Sequence, residues 1–287
     1  MRTVRTVSSL REALREARRA ERVIGLVPTM GALHDGHLSL IRHARATCDE
    51  VVVSLFVNPA QFDQASDLAA YPRDEARDGG LAAEAGADLL FAPDLAEVYP
   101  PGFATTVHVG GLTETLEGVH RGVGHFDGVA TVVTKLLNMV GPDVAFFGQK
   151  DAQQALVIRR LVRDLDLPVR IEVRPTVREP DGLALSSRNV HLRGADRERA
   201  LALRDALAAA EASLSAGERD AGVLRAVALA AMHGRGVEPD YLELVRTDDL
   251  SPVSRVDGEV LVAVAASVGS TRLIDNTILN ANGQPGG

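Results

Sequence analysis

The chain has 287 residues, 46% of them apolar, which suits a soluble globular protein of two domains and excludes a disordered tail or a small cross-linked scaffold. Its formal net charge of −8 argues against broad attraction to nucleic acid or anionic lipid, so any phosphate-binding surface has to be local. The single cysteine, Cys48, permits no internal disulfide and no four-cysteine zinc site, and it points to a reducing, cytoplasmic setting.

Residues 1–20 carry arginines with Leu10 and Leu14 but no continuous apolar run, and they read as an amphipathic helix rather than a signal peptide. Val23–Val27, Leu38–Ala46 and Val51–Val57 follow as strand, helix, strand. Leu89–Ala92 is a further strand, and Val129, Val132, Val133, Leu136, Leu137 and Val140 recur at helical spacing until Gly141-Pro142 stops them. Val144–Phe147 is a buried strand; Asp151 can cap a helix with Ile158, Leu161, Val162 and Leu165 on one face; Val169–Val173 is the next strand. Alternation of this kind implies an α/β fold, a doubly wound, Rossmann-like parallel sheet covered by helices on both faces.

After Thr176 the pattern changes to two long Ala/Leu/Arg helical stretches and then clustered strands at Tyr241–Arg246, Val260–Ala266 and Thr271–Ile274. Helices followed by clustered strands predict a smaller α+β domain. The domains are placed at 1–176 and 177–287, where Pro175, Pro180 and Gly182 bracket the shift. The longest apolar run, Val260–Val268, is about half the roughly 20 residues a spanning helix needs, so no membrane segment is expected. The last residues, Asn280–Gly287, are expected to fray.

Four strings carry candidate chemistry. Met30, Gly31, Ala32, Leu33, His34, Asp35, Gly36 and His37 lie between a predicted strand and helix, where ligands bind in doubly wound sheets. The small residues let a phosphate approach open backbone N–H groups at the positive end of the helix, and two imidazoles can donate to its oxygens. A zinc reading competes, since His34 and His37 could share a helical face, but zinc takes more protein ligands. Gly148, Gln149, Lys150 and Asp151 sit at the next strand-to-helix junction; lysine supplies a point charge, Asp151 either accepts from ribose or caps the helix, Gln154 could face the same crevice, and Gln153 is expected to be exposed.

Leu185, Ser186, Ser187 and Arg188 put two hydroxyls beside a guanidinium, an anion clamp or else a turn with a helix cap. In Phe56–Phe62, Gln61 offers both a donor and an acceptor, as recognition of a carboxylate and a hydroxyl needs, while Asn58-Pro59 reads as a turn. Tyr71-Pro72-Arg73 and the acids Asp74, Glu75 and Asp78 read as a solvated helix start, with magnesium ligation the lesser option. Gly122, Gly124 and Gly128 form a loose glycine fingerprint, but no apolar strand precedes them, so a dinucleotide cradle is set aside.

PTMGALHDGH, FVNPAQF, YPRD, GHFDGVATVVTKL, FGQKDAQQ, DGLALSSRN and TRLIDN, in this order over nearly the whole chain, resemble the pantoate–β-alanine ligase (pantothenate synthetase) family of the HIGH-type nucleotidyltransferase superfamily. The resemblance implies condensation of pantoate with β-alanine through a pantoyl adenylate, with ATP as substrate, magnesium bridging its phosphates, and AMP and pyrophosphate released. It implies ATP contacts from Met30 to His37, from Gly148 to Asp151, at Val177 and from Leu185 to Arg188, with His37, His34, Lys150 and Arg188 catalytic. Gln61 would hold pantoate and β-alanine, and Gln154 pantoate. The protein ligands of the metal are left unassigned. A homodimer, a cytoplasmic location and closure of the C-terminal domain as a lid are also implied. The competing function is a nucleotidyltransferase that keeps an adenylyl or cytidylyl group on its product, since the HDGH cleft would serve that chemistry too. Where the family reads Arg-Pro-Gly-His-Phe, this chain has Arg121-Gly122-Val123-Gly124-His125-Phe126, one residue longer, and Gln149 stands where many members carry Glu.

Overall fold

The computed structural model describes residues 1–62 and 65–281. They form two compact units, one of Met1–Gly148 with Gln153–Arg174, the other of Gln149–Ala152 with Pro175 onward.

In the first unit six strands pair in parallel: β1 (Arg2–Val4), β2 (Ile24–Thr29), β3 (Glu50–Leu55), β4 (Leu89–Phe91), β5 (Val144–Gly148) and β6 (Arg170–Arg174). Their spatial order is β1-β4-β3-β2-β5-β6. The helices are α1 (Val7–Arg19), α2 (Asp35–Thr47), α3 (Ala65–Ala70), α4 (Glu75–Glu84), α5 (Leu95–Val98), α6 (Glu117–Arg121), α7 (Val123–Val140) and α8 (Ala152–Asp164).

Period-two alternation sorts the strand side chains onto two faces. Leu26, Val52, Phe91 and Phe147 join Leu10 and Leu14 of α1 and Val129, Val133 and Val140 of α7 in one core. Their neighbours Val27, Val51, Val53, Leu90 and Phe146 pack with Leu38, Ile41 and Ala44 of α2 and Ala82 of α4 in another. Both faces of a parallel sheet are thus covered, as its near-continuous apolar strands require.

Helix ends follow local chemistry. The Thr6 side chain accepts from Ser9 N–H in a capping box that opens α1, and Gly141, at φ 58, closes α7 in the left-handed conformation. β1 is absent from the sequence reading. It is three residues long with only Val4 buried, too short and too polar at Arg2 and Thr3 to show a period.

The strand order reverses between β2 and β5, which pair through Gly25↔Val144 and Leu26↔Ala145. Chain leaving β2 runs to β3 on one side, and chain leaving β5 runs to β6 on the other. The carboxyl ends of β2 and β5 therefore flank a topological switch point, the place where open α/β sheets leave a crevice for ligands.

The second unit holds an antiparallel sheet of β7 (Tyr241–Arg246), β8 (Glu259–Val268) and β9 (Thr271–Asn280), with α9 (Ala195–Ala200), α10 (Ala202–Ser215) and α11 (Ala221–Gly234). Leu203, Leu207, Leu224 and Met232 share a core with Leu242, Val262, Val264 and Leu273. β9 runs past the expected Ile274 because it pairs with β8 from Thr271↔Val268 to Asn280↔Glu259, so Asn280 is a ladder residue rather than a frayed one. The rest of the expected frayed end, residues 282–287, lies outside the described residues. Among the described residues no helix is long and apolar enough to cross a membrane.

Candidate active site

The loop leaving β2 turns through two left-handed residues, Gly31 at φ 91 and Ala32 at φ 51, and delivers His34 to the N-cap of α2. His34 Nδ1 accepts from Gly36 N–H at 3.2 Å, and His37 Nδ1 accepts from His34 N–H at 3.4 Å. The rings lie 4.1 Å apart at 43°. An Nδ1 that accepts carries no proton, so in this arrangement the ring hydrogen of each imidazole is on Nε2, which can donate. The two histidines expected to meet a phosphate are therefore brought together and oriented by backbone groups of their own helix start.

In the loop before that helix, the Ala32 and Leu33 N–H groups are taken by Asp78: Ala32 N–H donates to its Oδ2 at 2.8 Å and Leu33 N–H to its Oδ1 at 2.9 Å. Asp78 is only 1% exposed, not part of a solvated helix start. Asp74 behaves as read, accepting from Arg77 N–H as the N-cap of α4.

The segment leaving β3 makes a 3₁₀ turn at Pro59–Gln61. The buried Asn58 carboxamide uses every hydrogen-bonding position. Its Nδ2 donates to Gly128 O at 3.0 Å and Gln61 Oε1 at 2.9 Å, and its Oδ1 accepts from Ala60 N–H at 3.3 Å and Tyr99 Oη at 2.9 Å. Gly128 O can only accept and Ala60 N–H can only donate, so these backbone partners fix the orientation of the Asn58 amide, and with it that of Gln61. Gln61 therefore presents its Nε2 donors, while its Oε1, which the sequence reading offered as an acceptor beside them, accepts from Asn58. His125 Nδ1 meets Gln61 O at 2.9 Å. Burial pushes the Tyr99 phenol up to about 12, against the lowering effect of its bond to Asn58.

Arg121 closes α6 and its Nε donates to Glu117 Oε2 at 2.7 Å; Gly122, at φ 76, then breaks the helix before α7. Gln153 is buried rather than exposed: its Nε2 donates to Leu112 O at 2.7 Å and Thr115 O at 2.8 Å, and its Oε1 accepts from Glu117 N–H at 3.0 Å. Gln154 is half-buried in the first turn of α8.

In the second unit the 3₁₀ turn Gln149–Asp151 is held by a residue with no assigned role in the sequence reading. Asn276 Nδ2 donates to Gln149 O and Lys150 O, both at 2.9 Å, while Gln149 Nε2 donates to Asn276 Oδ1 at 3.0 Å. Gln149, the family departure, thus has a structural partner. Lys150 Nζ lies 3.6 Å from Asp151 Oδ1. Ser186 is a cap, accepting from Arg188 N–H at 3.2 Å and opening the short turn Ser187–His191. Leu185 N–H donates to Val177 O at 3.0 Å, folding 177–185 into a hairpin. Arg178 donates to both oxygens of the buried Asp275 carboxylate, at 2.6 and 3.0 Å. Lys150, Ser186, Arg188, Arg272 and Asp275 line one concavity, so the lysine and the serine–arginine string, far apart in sequence, meet.

In the first unit the two imidazoles suit a phosphate and the Gln61 amide suits an oxygen-rich acid; in the second, the lysine–arginine concavity suits an anion. The model of the pantoate–β-alanine ligase family matches residues 2–278. The chain belongs to the pantoate–β-alanine ligase family. A pantothenate synthetase from Chelativorans sp. strain BNC1 is 56% identical over 95% of each chain. A pantothenate synthetase structure from Thermus thermophilus superposes with a TM-score of 0.91 at 47% identity, covering 98% of this chain and 99% of that one. The pantoate–β-alanine ligase of Francisella tularensis, solved with β,γ-ATP and β-alanine, gives 0.79 at 33% identity over the full length of both chains. As a pantoate–β-alanine ligase family member the chain is an enzyme of the ATP-dependent ligase class, and the alternative of a stable nucleotidyl product is not favoured.

Proposed function

We propose that the chain condenses pantoate with β-alanine at the expense of ATP. A pantoate carboxylate oxygen attacks the α-phosphorus, the bond from that phosphorus to the bridging oxygen breaks, and pyrophosphate leaves with the electron pair. The β-alanine amine then attacks the acyl carbon of pantoyl adenylate, the acyl–oxygen bond breaks, AMP departs, and the nitrogen loses its proton to solvent. Little covalent help is needed; the protein must align the carboxylate and neutralise the departing charge.

The observation that carries this reading is the pair His34 and His37, both with Nε2 as donor, at the helix start beside the switch point. The two imidazoles are assigned to the ATP phosphates, with Met30–Leu33, Asp35 and Gly36 lining the nucleotide's approach. Lys150 and Arg188 add cationic charge for the pyrophosphate. Gly148, Gln149, Asp151, Val177, Leu185, Ser186 and Ser187 complete the nucleotide contacts. Gln61 donates to pantoate and to β-alanine, and Gln154 binds pantoate.

Magnesium is assigned to the phosphates themselves. Among the described residues no group of three or more His, Cys, Asp or Glu side chains is arranged to hold a metal, and Asp78 is committed to backbone N–H groups. Magnesium bound chiefly by substrate phosphates fits that inventory, and it would supply charge neutralisation. Residues 1–176 are assigned to nucleotide and pantoate binding and 177–287 to keeping water from the adenylate. A cytoplasmic homodimer is the proposed form.

The test is product stoichiometry. With ATP, pantoate and β-alanine, AMP, pyrophosphate and pantothenate are expected in equal amounts. Nucleotide remaining on the final product would overturn the ligase reading.

A further inference from the structure

Asp78 is a buried carboxylate in the first turn of α4. Both its oxygens are used by consecutive backbone N–H groups, Ala32 and Leu33, 46 and 45 residues away in sequence. Beside it, Arg77 donates to Asp78 Oδ1 at 3.1 Å and to Leu33 O at 3.2 Å. The pair thus grips the turn by two donors and one acceptor of its main chain.

What it grips is costly backbone. Gly31 and Ala32 are successive left-handed residues, and Ala32 pays a steric penalty there that glycine would not. A Cβ on Gly31 would lie 3.0 Å from Asp78 Oδ2, so the carboxylate sits against the turn with no room to spare. The next residue is His34, whose own N–H is the donor to His37 Nδ1. Any relaxation of Ala32 and Leu33 therefore moves the N–H that sets the His37 ring.

We propose that Asp78, braced by Arg77, is a positioning residue for adenylate formation: it holds the Gly31–Leu33 turn in its left-handed shape and so sets the aim of His34 and His37. Its carboxylate takes the place against the Ala32 and Leu33 N–H groups that an anionic ligand would otherwise occupy, leaving the imidazole donors to meet the nucleotide. The inference rests on the ligase reading, through the role given to the two histidines.

The test is pantoate-dependent pyrophosphate release by the full chain, comparing wild type, Asp78→Asn, His37→Ala and the double variant, with thermal unfolding alongside. The carboxamide keeps the size of Asp78 but sets an amide N–H against one of the two backbone donors. For Asp78→Asn a fall in kcat on the order of 100-fold is expected, the cost of displacing a reacting group by about 1 Å, with pantoate KM little changed. In the His37→Ala background the same substitution should cost far less, because the group being aimed is gone. Equal losses in both backgrounds, or wild-type kcat in Asp78→Asn while His37→Ala is impaired, would overturn the positioning role alone. Full activity in His37→Ala would instead overturn the function assigned to the histidines. Should Asp78→Asn not fold, Arg77→Met carries the test: kcat should fall about fivefold, the worth of one ordinary hydrogen bond, with pantoate KM little changed. An unchanged kcat there would refute the brace.

Discussion

Asn58 Nδ2 donates to Gln61 Oε1 at 2.9 Å, and this one bond decides which half of the Gln61 amide would meet pantoate on the proposed reading. Gln61→Glu replaces the outward donors with a carboxylate that repels carboxylate substrates. Loss of a hydrogen bond to a charged group is worth about 1.5–3 kcal/mol, so KM for pantoate should rise about 10- to 150-fold. Steady-state titration of pantoate at saturating ATP reads the change, and a KM within twofold of wild type would remove Gln61 from the pantoate site.

His37→Ala removes an imidazole whose Nδ1 is already fixed by the His34 N–H. Adenylate formation should slow on the order of 100-fold or more, as when a transition-state donor is lost. Rapid-quench measurement of pyrophosphate in a single turnover isolates that step, whereas β-alanine capture of preformed adenylate should be little affected.

The Arg178–Asp275 pair is a stability prediction. Asp275 is 2% exposed and receives both guanidinium bonds, so Arg178→Met leaves a buried carboxylate without its counter-charge. Breaking a buried pair from one side costs about 3–5 kcal/mol, readable as a lower denaturant midpoint. A midpoint equal to wild type would show that solvent reaches Asp275.

Tyr99 gives a pH signature. Its folded value of about 12 exceeds the ordinary 10, so between those values the unfolded chain has lost a proton that the folded chain keeps. Stability from this group is therefore complete below pH 10 and declines as pH rises toward about 12. Of the three tyrosines, one phenolate should appear late in an ultraviolet titration, and Tyr99→Phe should abolish that late step.

The strands and long helices were legible because their apolar periods are unbroken: β7 matches the expected Tyr241–Arg246 to the residue, and α7 ends at Gly141 where the Gly-Pro pair stops it. What sequence could not show is polar burial at long range. Asp78 looks like any acid in the first turn of a helix until its partners, Ala32 and Leu33, are known. Gln153 looks like a surface glutamine until the 112–117 loop closes over it. Gly128, weighed as a nucleotide glycine, is small for another reason: a Cβ there would meet Ala60 O at 2.2 Å, against the turn that carries Gln61. In each case the deciding group lies dozens of residues away, and no local pattern encodes it.

The grip of Asn276 on the carbonyls of Gln149 and Lys150 spans 127 and 126 residues of sequence. A ribosome making this protein emits the lysine long before the asparagine that shapes its turn. The nascent polypeptide can assemble its parallel sheet while synthesis continues, yet the lysine's surroundings stay unfinished until β9 emerges. On the ligase reading proposed above, products truncated before Asn276 should be born inactive.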